Sequence, residues 1–160
     1  MFFKFYALAL LFILSSSLFA ADRKYSQEEL GKSLRTMNRD LPMNVDGVTT
    51  VTGVVLLPNK IINYRYSLDV DKIFKLAADH AKISVEELKY QGIKNFGSVN
   101  GLLKVWFDSD VKLLILRKNC TTPATREWIE NDVKLVHTIY SLKGVYFNEF
   151  SVNKGQCLNY

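Results

Sequence analysis

The sequence predicts an α+β fold in which an N-terminal helix packs on a small antiparallel sheet of about four strands, with additional helices inserted and one disulfide. Two regions rich in Val, Ile, Thr and Tyr, residues 48–68 and 133–152, predict strand pairs. Helical patterns lie before and between them, and strands and helices kept apart in sequence indicate this class. The third observation is a pair of cysteines in a chain that carries an export signal.

The first residues, MFFKFYALALLFILSSSLFA, have the pattern of a secretory signal peptide. A lysine precedes an apolar run over residues 6–14, which is shorter than the roughly 20 residues that span a bilayer. The alternative is an uncleaved membrane anchor. A small residue at position 20 or 21 favours cleavage, so we predict a signal peptide over residues 1–20 and a single domain over residues 21–160. The product would be periplasmic or secreted, without a transmembrane segment.

The charge of the chain is moderately basic. It has 21 Lys and Arg residues against 16 Asp and Glu residues, which gives a formal net charge of +5. A basic chain can bind nucleic acid, but here the lysines are scattered and the chain is exported. We therefore expect no nucleic-acid partner, although the charge can help at an anionic membrane or wall surface.

Cys120 and Cys157 are the two cysteines of the sequence. A metal site needs three or four ligands, and neither His80 nor His137 shows ligand spacing to a cysteine. A nucleophilic Cys120 would need a base and a reason to stay reduced. We predict a Cys120–Cys157 disulfide between the start of a short helix and the end of the last strand, with free thiols or a metal as alternatives. No metal or cofactor is expected.

The first helix begins at a capping box formed by Ser26 and Glu29. Pro42 ends it. Its apolar stripe is expected to lie in the core and consists of Leu30, Leu34 and Met37.

Two antiparallel strands follow, near residues 48–57 and 61–68, and a Pro-Asn turn joins them. Tyr64, Tyr66 and Leu68 share one face of the second strand. A Tyr-x-Tyr pair can form a ligand platform, but at this spacing cross-strand packing is more common.

The segment from residue 71 to residue 118 is less regular. A helical stripe begins near Ile73, and Ser84 with Glu87 forms a second capping box. The stretch from residue 101 to residue 117 fits helical spacing except at Asp110, although its tail, VKLLIL, could equally be a strand. Trp106 and Phe107 of this stretch are more typical of a core than of a binding motif.

The last part of the chain predicts a short helix and two strands. Thr122 is the expected N-cap, with Pro123 at the favoured first position. The two strands join through a turn that closes on a left-handed Gly144. That register sets Ile139 opposite Phe147 and His137 opposite Glu149, so His137 would be a paired sheet residue and not a catalytic base. A two-residue loop would shift the pairing by one.

No motif for catalysis appears, since GxGxxG, the P-loop and GxSxG are all missing. We therefore expect no enzymatic activity. A hydrolase with an unrecognised site would need a cleft in which Asp108, Asp110 and His80 converge. Asn119-Cys120-Thr121 matches a glycosylation sequon, which matters only in a eukaryotic secretory route.

Two segments, residues 38–68 and 119–157, resemble a group of small exported bacterial proteins with a C-terminal disulfide-closed helix and hairpin. More distantly they are similar to the β-type pilotins of type II secretion. The resemblance implies a helix and a small sheet tied by a disulfide, and binding of a secretin segment. Pilotins carry a lipidated N-terminal cysteine, which has no counterpart in this sequence. The matching residues are Leu41, Pro42, Thr50, Tyr64, Tyr66, Cys120, Arg126, Tyr140, Gly144 and Cys157.

The function that these observations favour is a periplasmic, non-enzymatic accessory protein that binds another protein of a secretion or envelope system. Its partner would dock at a sheet edge or in a groove beside the first helix, by strand addition or as a helix. The alternative is a small-molecule or lipid-binding module, which a closed sheet around an apolar pocket would favour. The residues predicted for a binding surface are Tyr64, Tyr66, Trp106 and Phe107.

Overall fold

The computed structural model of the protein describes residues 25–160, so the predicted signal peptide lies outside the described residues. They form one five-stranded sheet with the strand order β1-β2-β3-β4-β5. The strands are β1 (Met43–Asn44), β2 (Thr49–Leu57), β3 (Ile61–Leu68), β4 (Lys134–Ser141) and β5 (Tyr146–Val152). The α-helices of this part of the chain are α1 (Gln27–Arg39), α2 (Val70–Ala81), α3 (Val85–Phe96), α4 (Val99–Trp106), α5 (Lys112–Thr121) and α6 (Pro123–Glu130). A π-helical segment (Phe107–Val111) joins α4 to α5, and a 3-10 helix (Lys154–Asn159) follows β5.

The predicted α+β class is confirmed, with two differences in the sheet. A fifth strand exists because Met43 and Asn44 pair with Val51 and Thr50 of β2. The sheet is also not wholly antiparallel, because β3 and β4 run parallel. Parallel neighbours need a long crossover connection, and the helices from α2 to α6 supply it.

One face of the sheet carries the core. Two apolar clusters lie on it, the first built on Ile62 and Leu135 and the second on Leu68 and Ile139. Helices α1, α5 and α6 contribute to the first cluster, while α2, α4 and the π segment contribute to the second. The fold is therefore a helical layer on one face of an open sheet.

The capping box of α1 is confirmed. The hydroxyl of Ser26 accepts the Glu29 N–H at 3.1 Å, and the Ser26 N–H donates to the Glu29 carboxylate at 2.9 Å. Leu30 and Leu34 are buried as predicted. Met37 is 38% exposed, so its assignment to the core is wrong. The next residue, Asn38, makes the contact with β2 instead.

The strand pair β2–β3 is confirmed within one residue of the predicted limits. A bulge between Val51 and Gly53 interrupts the pairing. Tyr64 and Leu68 are buried and Tyr66 is half-buried on the helical face, which agrees with the predicted alternation.

The run from α4 to α5 is helical throughout, which settles the choice between helix and strand. The residues with helical spacing over 101–117 do not all lie on one buried face, because Leu113 and Leu114 are 51% and 67% exposed. The cause is the π segment, in which an extra residue per turn shifts the inward positions. Asp110, the residue that broke the predicted pattern, lies in that segment.

Strands β4 and β5 pair antiparallel, and Gly144 closes their turn with a φ of 75°. Beyond the turn the predicted register is wrong by one residue. His137 lies opposite Phe150, and Ile139 lies opposite Asn148. A register shift between Ile139 and Tyr140, and not a two-residue loop, produces the offset.

The Cys120–Cys157 disulfide is confirmed, with Cα atoms 5.2 Å apart. The predicted elements differ from those observed. Cys120 lies in the last turn of α5, before the short helix α6, and Cys157 lies in the 3-10 helix that follows the last strand. Both residues are buried in the first apolar cluster. A disulfide of this kind is typical of an oxidising compartment.

None of the helices formed by residues 25–160 combines the length and the apolar character that crossing a bilayer requires.

Candidate functional site

A stacked aromatic layer lies between the sheet and the helices. The parallel register sets Tyr64 of β3 opposite His137 of β4, and their ring centroids are 5.3 Å apart. Tyr66 stacks on the same imidazole at 5.7 Å, and Phe150 of β5 stacks on it at 5.0 Å. Three strands thus contribute to one layer centred on His137, which is only 1% exposed.

The hydrogen bonds of His137 fix its tautomer. The amide nitrogen of Asn119 donates to the carbonyl of Ile115 at 2.8 Å and also faces His137 Nε2 at 3.4 Å. Because an amide nitrogen only donates, Nε2 must accept and the ring proton lies on Nδ1. Nδ1–H then donates to the hydroxyl oxygen of Tyr66, 2.9 Å away.

The layer is uncharged near neutral pH. Burial lowers the pKa of His137 to about 3 and raises the pKa of Tyr64 to about 12. The pKa of Tyr66 is raised further, first by burial and then by the neighbouring Tyr64. A general acid or base works best with a pKa near the working pH and must reach its substrate. His137 meets neither condition, so the layer is part of the core.

The four aromatic residues predicted as a binding surface do not lie together on the outside of the fold. Phe107 is buried and meets Phe147 and Phe150 edge-to-face, each at 5.8 Å. Tyr64 is buried in the layer described above, and Tyr66 and Trp106 are half-buried. Because Tyr64 and Phe107 are buried, the four side chains do not form one exposed surface, and a binding role for them stays a prediction.

A surface groove of about 530 Å³ lies along the outer side of the π segment and α5. Its floor is apolar, because Leu113 and Leu114 point outward and Tyr160 borders them. Leu158 is also highly exposed on the 3-10 helix. The residues that line the groove are Ser109, Asp110, Leu113, Leu114, Arg117 and Tyr160.

The groove has an acidic end and a basic end. Asp110 and Arg117 are seven positions apart, which is about 10 Å along a helix. Asp110 accepts a hydrogen bond from the Ser109 hydroxyl at 2.9 Å. The ion pairs within residues 25–160 are Lys32–Glu28 and Arg126–Glu130, so neither charged end of the groove is paired there. The groove can therefore offer apolar contact in its centre and an unpaired charge of each sign at its ends.

A second cleft of about 240 Å³ lies where the start of α2 and α4 approach the β4–β5 turn. Leu142, Val145 and Tyr146 are exposed there. Asp69, which borders this cleft, accepts the Lys72 N–H at 3.0 Å and so serves as the N-cap of α2.

The three residues considered for a hydrolase are spread over the fold. His80 is exposed on α2, and Asp108 accepts a hydrogen bond from the Asn148 amide at 3.5 Å. Asp110 borders the groove on α5, but His80 and Asp108 border neither cleft. Among the described residues, no group of three His, Cys, Asp or Glu side chains could hold a metal ion.

The groove on α5 was missed from the sequence. Residues 101–117 fit helical spacing apart from Asp110, and a regular helix with that spacing would turn Leu113 and Leu114 inward. The break at Asp110 was the available signal. Asn119, the asparagine of the sequon, is buried with its amide hydrogen-bonded, so it is not accessible to a glycan.

Comparison by sequence finds no relative, since neither a protein-family model nor a curated protein matches the chain. Comparison by structure finds a Pseudomonas aeruginosa protein that is presumed to be secreted. Its TM-score is 0.54 at 12% identity, and the match covers 82% of this chain and 91% of that one. At this identity the likeness shows a common fold.

Two pilotins of type II secretion systems also match at lower scores. EpsS of Vibrio vulnificus has a TM-score of 0.47 at 11% identity, with 79% of this chain and 86% of that chain covered. AspS of Vibrio cholerae has a TM-score of 0.48 at 12% identity, with 79% and 87% covered. The chain is thus similar in fold to a protein presumed to be secreted, with pilotins among the weaker matches.

Proposed function

We propose that the protein is a non-enzymatic accessory protein of the bacterial cell envelope that binds a helical segment of another protein in the groove on α5. The single observation that carries the proposal is the apolar floor of that groove, with Leu113 and Leu114 turned to solvent. Exposed apolar side chains that form a concave surface are typical of protein-binding sites.

The groove fits an amphipathic helix. Such a helix docks through apolar residues spaced three and four apart, and Leu113 and Leu114 offer apolar contact to them. An acidic residue on the ligand would meet Arg117, and a basic residue seven positions away would meet Asp110. Complementary charges of this kind fix orientation more than they add affinity. Because acidic side chains favour the N-terminal end of a helix and basic ones the C-terminal end, we expect the ligand helix to run antiparallel to α5.

The proposed compartment is the periplasm. It is supported by the signal-peptide pattern of the sequence and by the disulfide, which is typical of an oxidising compartment. The resemblance of the sequence to β-type pilotins makes a secretin segment the first partner to test.

The test compares two exposed leucines. Leu114→Asp adds a charge to the groove floor, whereas Leu76→Asp makes the same change on α2, where Leu76 is also exposed. Mature wild-type protein and both variants would be immobilised and exposed to envelope extract, and bound proteins would be identified by mass spectrometry. The captured segment would then be titrated as a synthetic peptide.

We expect wild type and Leu76→Asp to capture the same protein and Leu114→Asp to lose it. Leu114→Asp should also bind the peptide at least about tenfold more weakly, because it replaces an apolar contact by a buried charge. Arg117→Glu should also weaken the peptide and should be rescued by the opposite charge change in the peptide. Equal capture by all three proteins would contradict the proposal.

A further inference from the structure

The two edges of the sheet are closed to different extents, and α1 closes the edge beside β2. The Asn38 amide donates to the Val54 carbonyl at 2.7 Å and accepts the Val54 N–H at 3.1 Å. The Gln27 amide donates to the Leu57 carbonyl at 2.9 Å and accepts the Lys60 N–H at 3.3 Å. Together with β1, the Asn38 side chain therefore occupies edge groups of β2 that a further strand could use.

The opposite edge, β5, is covered far less. Within residues 25–160 it pairs with β4 alone. The Glu149 N–H donates to the side chain of its neighbour Asn148 at 2.8 Å, which marks it as turned to the free edge. Alternate residues of an antiparallel strand are turned the same way, so the Ser151 N–H faces the free edge as well. An edge strand with free backbone groups is a template for another strand.

We propose that β5 accepts an extended segment of a partner protein, which adds to the sheet and carries a basic residue opposite Glu149. Glu149 is the one charged residue of Tyr146–Val152, and its side chain is exposed. One of its carboxylate oxygens accepts the Thr138 hydroxyl at 2.9 Å, which holds the side chain over the outer face of the sheet. An oppositely charged residue directly across a strand pair stabilises the pairing.

The same charge argues against a second copy of this chain as the occupant. Glu149 is the midpoint of Tyr146–Val152, so two copies paired antiparallel along the whole strand would set their Glu149 carboxylates opposite each other. Like charges at directly opposite positions destabilise a strand pair. A basic partner segment meets no such penalty.

This site does not rest on the proposed function, since the residues that line the groove on α5 include none from β5. A partner could use either surface alone, and the two are separable by mutation.

The probe is a peptide of alternating Val and Thr with one central Lys, flanked by Gly-Ser tails, and a matched peptide with a central Glu. Binding to the mature protein would be followed by fluorescence anisotropy and by backbone amide NMR. We expect chemical shift changes confined to β5 and its neighbour β4. The Lys peptide should bind about fivefold more tightly than the Glu peptide, which corresponds to a difference of about one favourable and one unfavourable cross-strand pair.

Three variants test the geometry. Ser151→Pro removes an N–H that faces the free edge, a position where an edge strand tolerates proline, and should abolish binding that Ser151→Ala keeps. Asn148→Ala uncovers the Glu149 N–H and should tighten binding. Glu149→Lys should reverse the preference between the two peptides, which provides a test even if the proline variant does not fold.

Three results would overturn the proposal. The first is equal affinity of the wild-type protein for the Lys and Glu peptides. The second is equal peptide binding by Ser151→Ala and by a folded Ser151→Pro. The third is concentration-dependent dimerisation of the wild type that Ser151→Pro removes. The last result would identify a second copy as the occupant.

Discussion

Mild acid should destabilise the protein because His137 is buried in its neutral form. Burial lowers the folded-state pKa of His137 to about 3, against 6.5 for an unperturbed histidine. As the pH falls below the unfolded-state value, the unfolded chain takes up a proton that the folded protein does not. The free energy of unfolding must therefore decrease as the pH is lowered from 6.5 to about 3. The stability that comes from burying a neutral His137 is fully present only above pH 6.5.

The size of the effect follows from the two pKa values. Each unit of difference corresponds to about 1.4 kcal/mol. Between about pH 8 and about pH 5 the protein should lose about 2 kcal/mol, and near pH 3 about 4 kcal/mol. Against a typical total of about 5–15 kcal/mol, acid of this strength would remove a large share of the stability.

Urea denaturation of the oxidised mature protein at a series of pH values measures the slope directly. His137→Gln should be less stable at neutral pH, because it loses the stacking with Tyr64 and Phe150. Its stability should nevertheless fall less steeply with acid than that of wild type. His80→Gln, at an exposed position, is the matched control and should keep the wild-type slope. If His137→Gln and wild type share one slope, the argument from the buried imidazole is wrong.

Two further predictions concern the covalent link and the glycines. Cys157→Ser opens a link across 37 residues and should lower the free energy of unfolding by about 4 kcal/mol; an unchanged calorimetric melting temperature would refute this. Gly31→Ala should raise that free energy by about 0.5–1 kcal/mol, because the new methyl group meets only Leu56, at 3.8 Å, inside a helix. Gly101→Ala should lower the free energy of unfolding by about 2 kcal/mol, because the methyl group would collide with the Phe96 carbonyl oxygen. The two glycine variants should therefore shift the melting temperature in opposite directions, and shifts of the same sign would contradict this prediction.

Features that depend on neighbouring residues were predictable from the sequence. The capping box at Ser26 needs only a hydroxyl and a carboxylate three positions apart, and both strands of the β2–β3 hairpin follow from composition around one turn. The disulfide was predicted from the presence of two cysteines and an export signal, and not from geometry. In each case the determining signal spans a few residues or the whole composition.

Features that depend on distant contacts were not predictable. The parallel pairing of β3 with β4 depends on how the helical connection between them packs. The residues of the two strands do not by themselves indicate whether the pairing is parallel or antiparallel. The register shift at Ile139 moves Phe150, and not Glu149, beside His137. Had the predicted register held, His137 would have faced a carboxylate across the strand pair. The shift instead encloses the imidazole among aromatic rings, which explains its low pKa.

The candidate site shows the same division. Tyr64 and Phe107 were considered for a binding surface because they are aromatic, and the structure places both in the apolar clusters of the core. A regular helix through residues 101–117 would turn the groove residues Leu113 and Leu114 inward. One π-helical turn moves them outward instead, and the polar Asp110 within the helical pattern was its trace in the sequence.

The π segment also bears on the energetics of the groove. Fully burying a leucine side chain is worth about 1.5–3 kcal/mol relative to exposure, and the fold forgoes much of this at both Leu113 and Leu114. The same run of helix buries Phe107 beneath Phe147 and Phe150 and brings Cys120 to Cys157. A partner that covered the two leucines would recover the forgone burial without any change in the core. Burial of Leu113 and Leu114 by a partner would therefore contribute favourable free energy to binding. The helix that carries them is held in place by the Cys120–Cys157 disulfide.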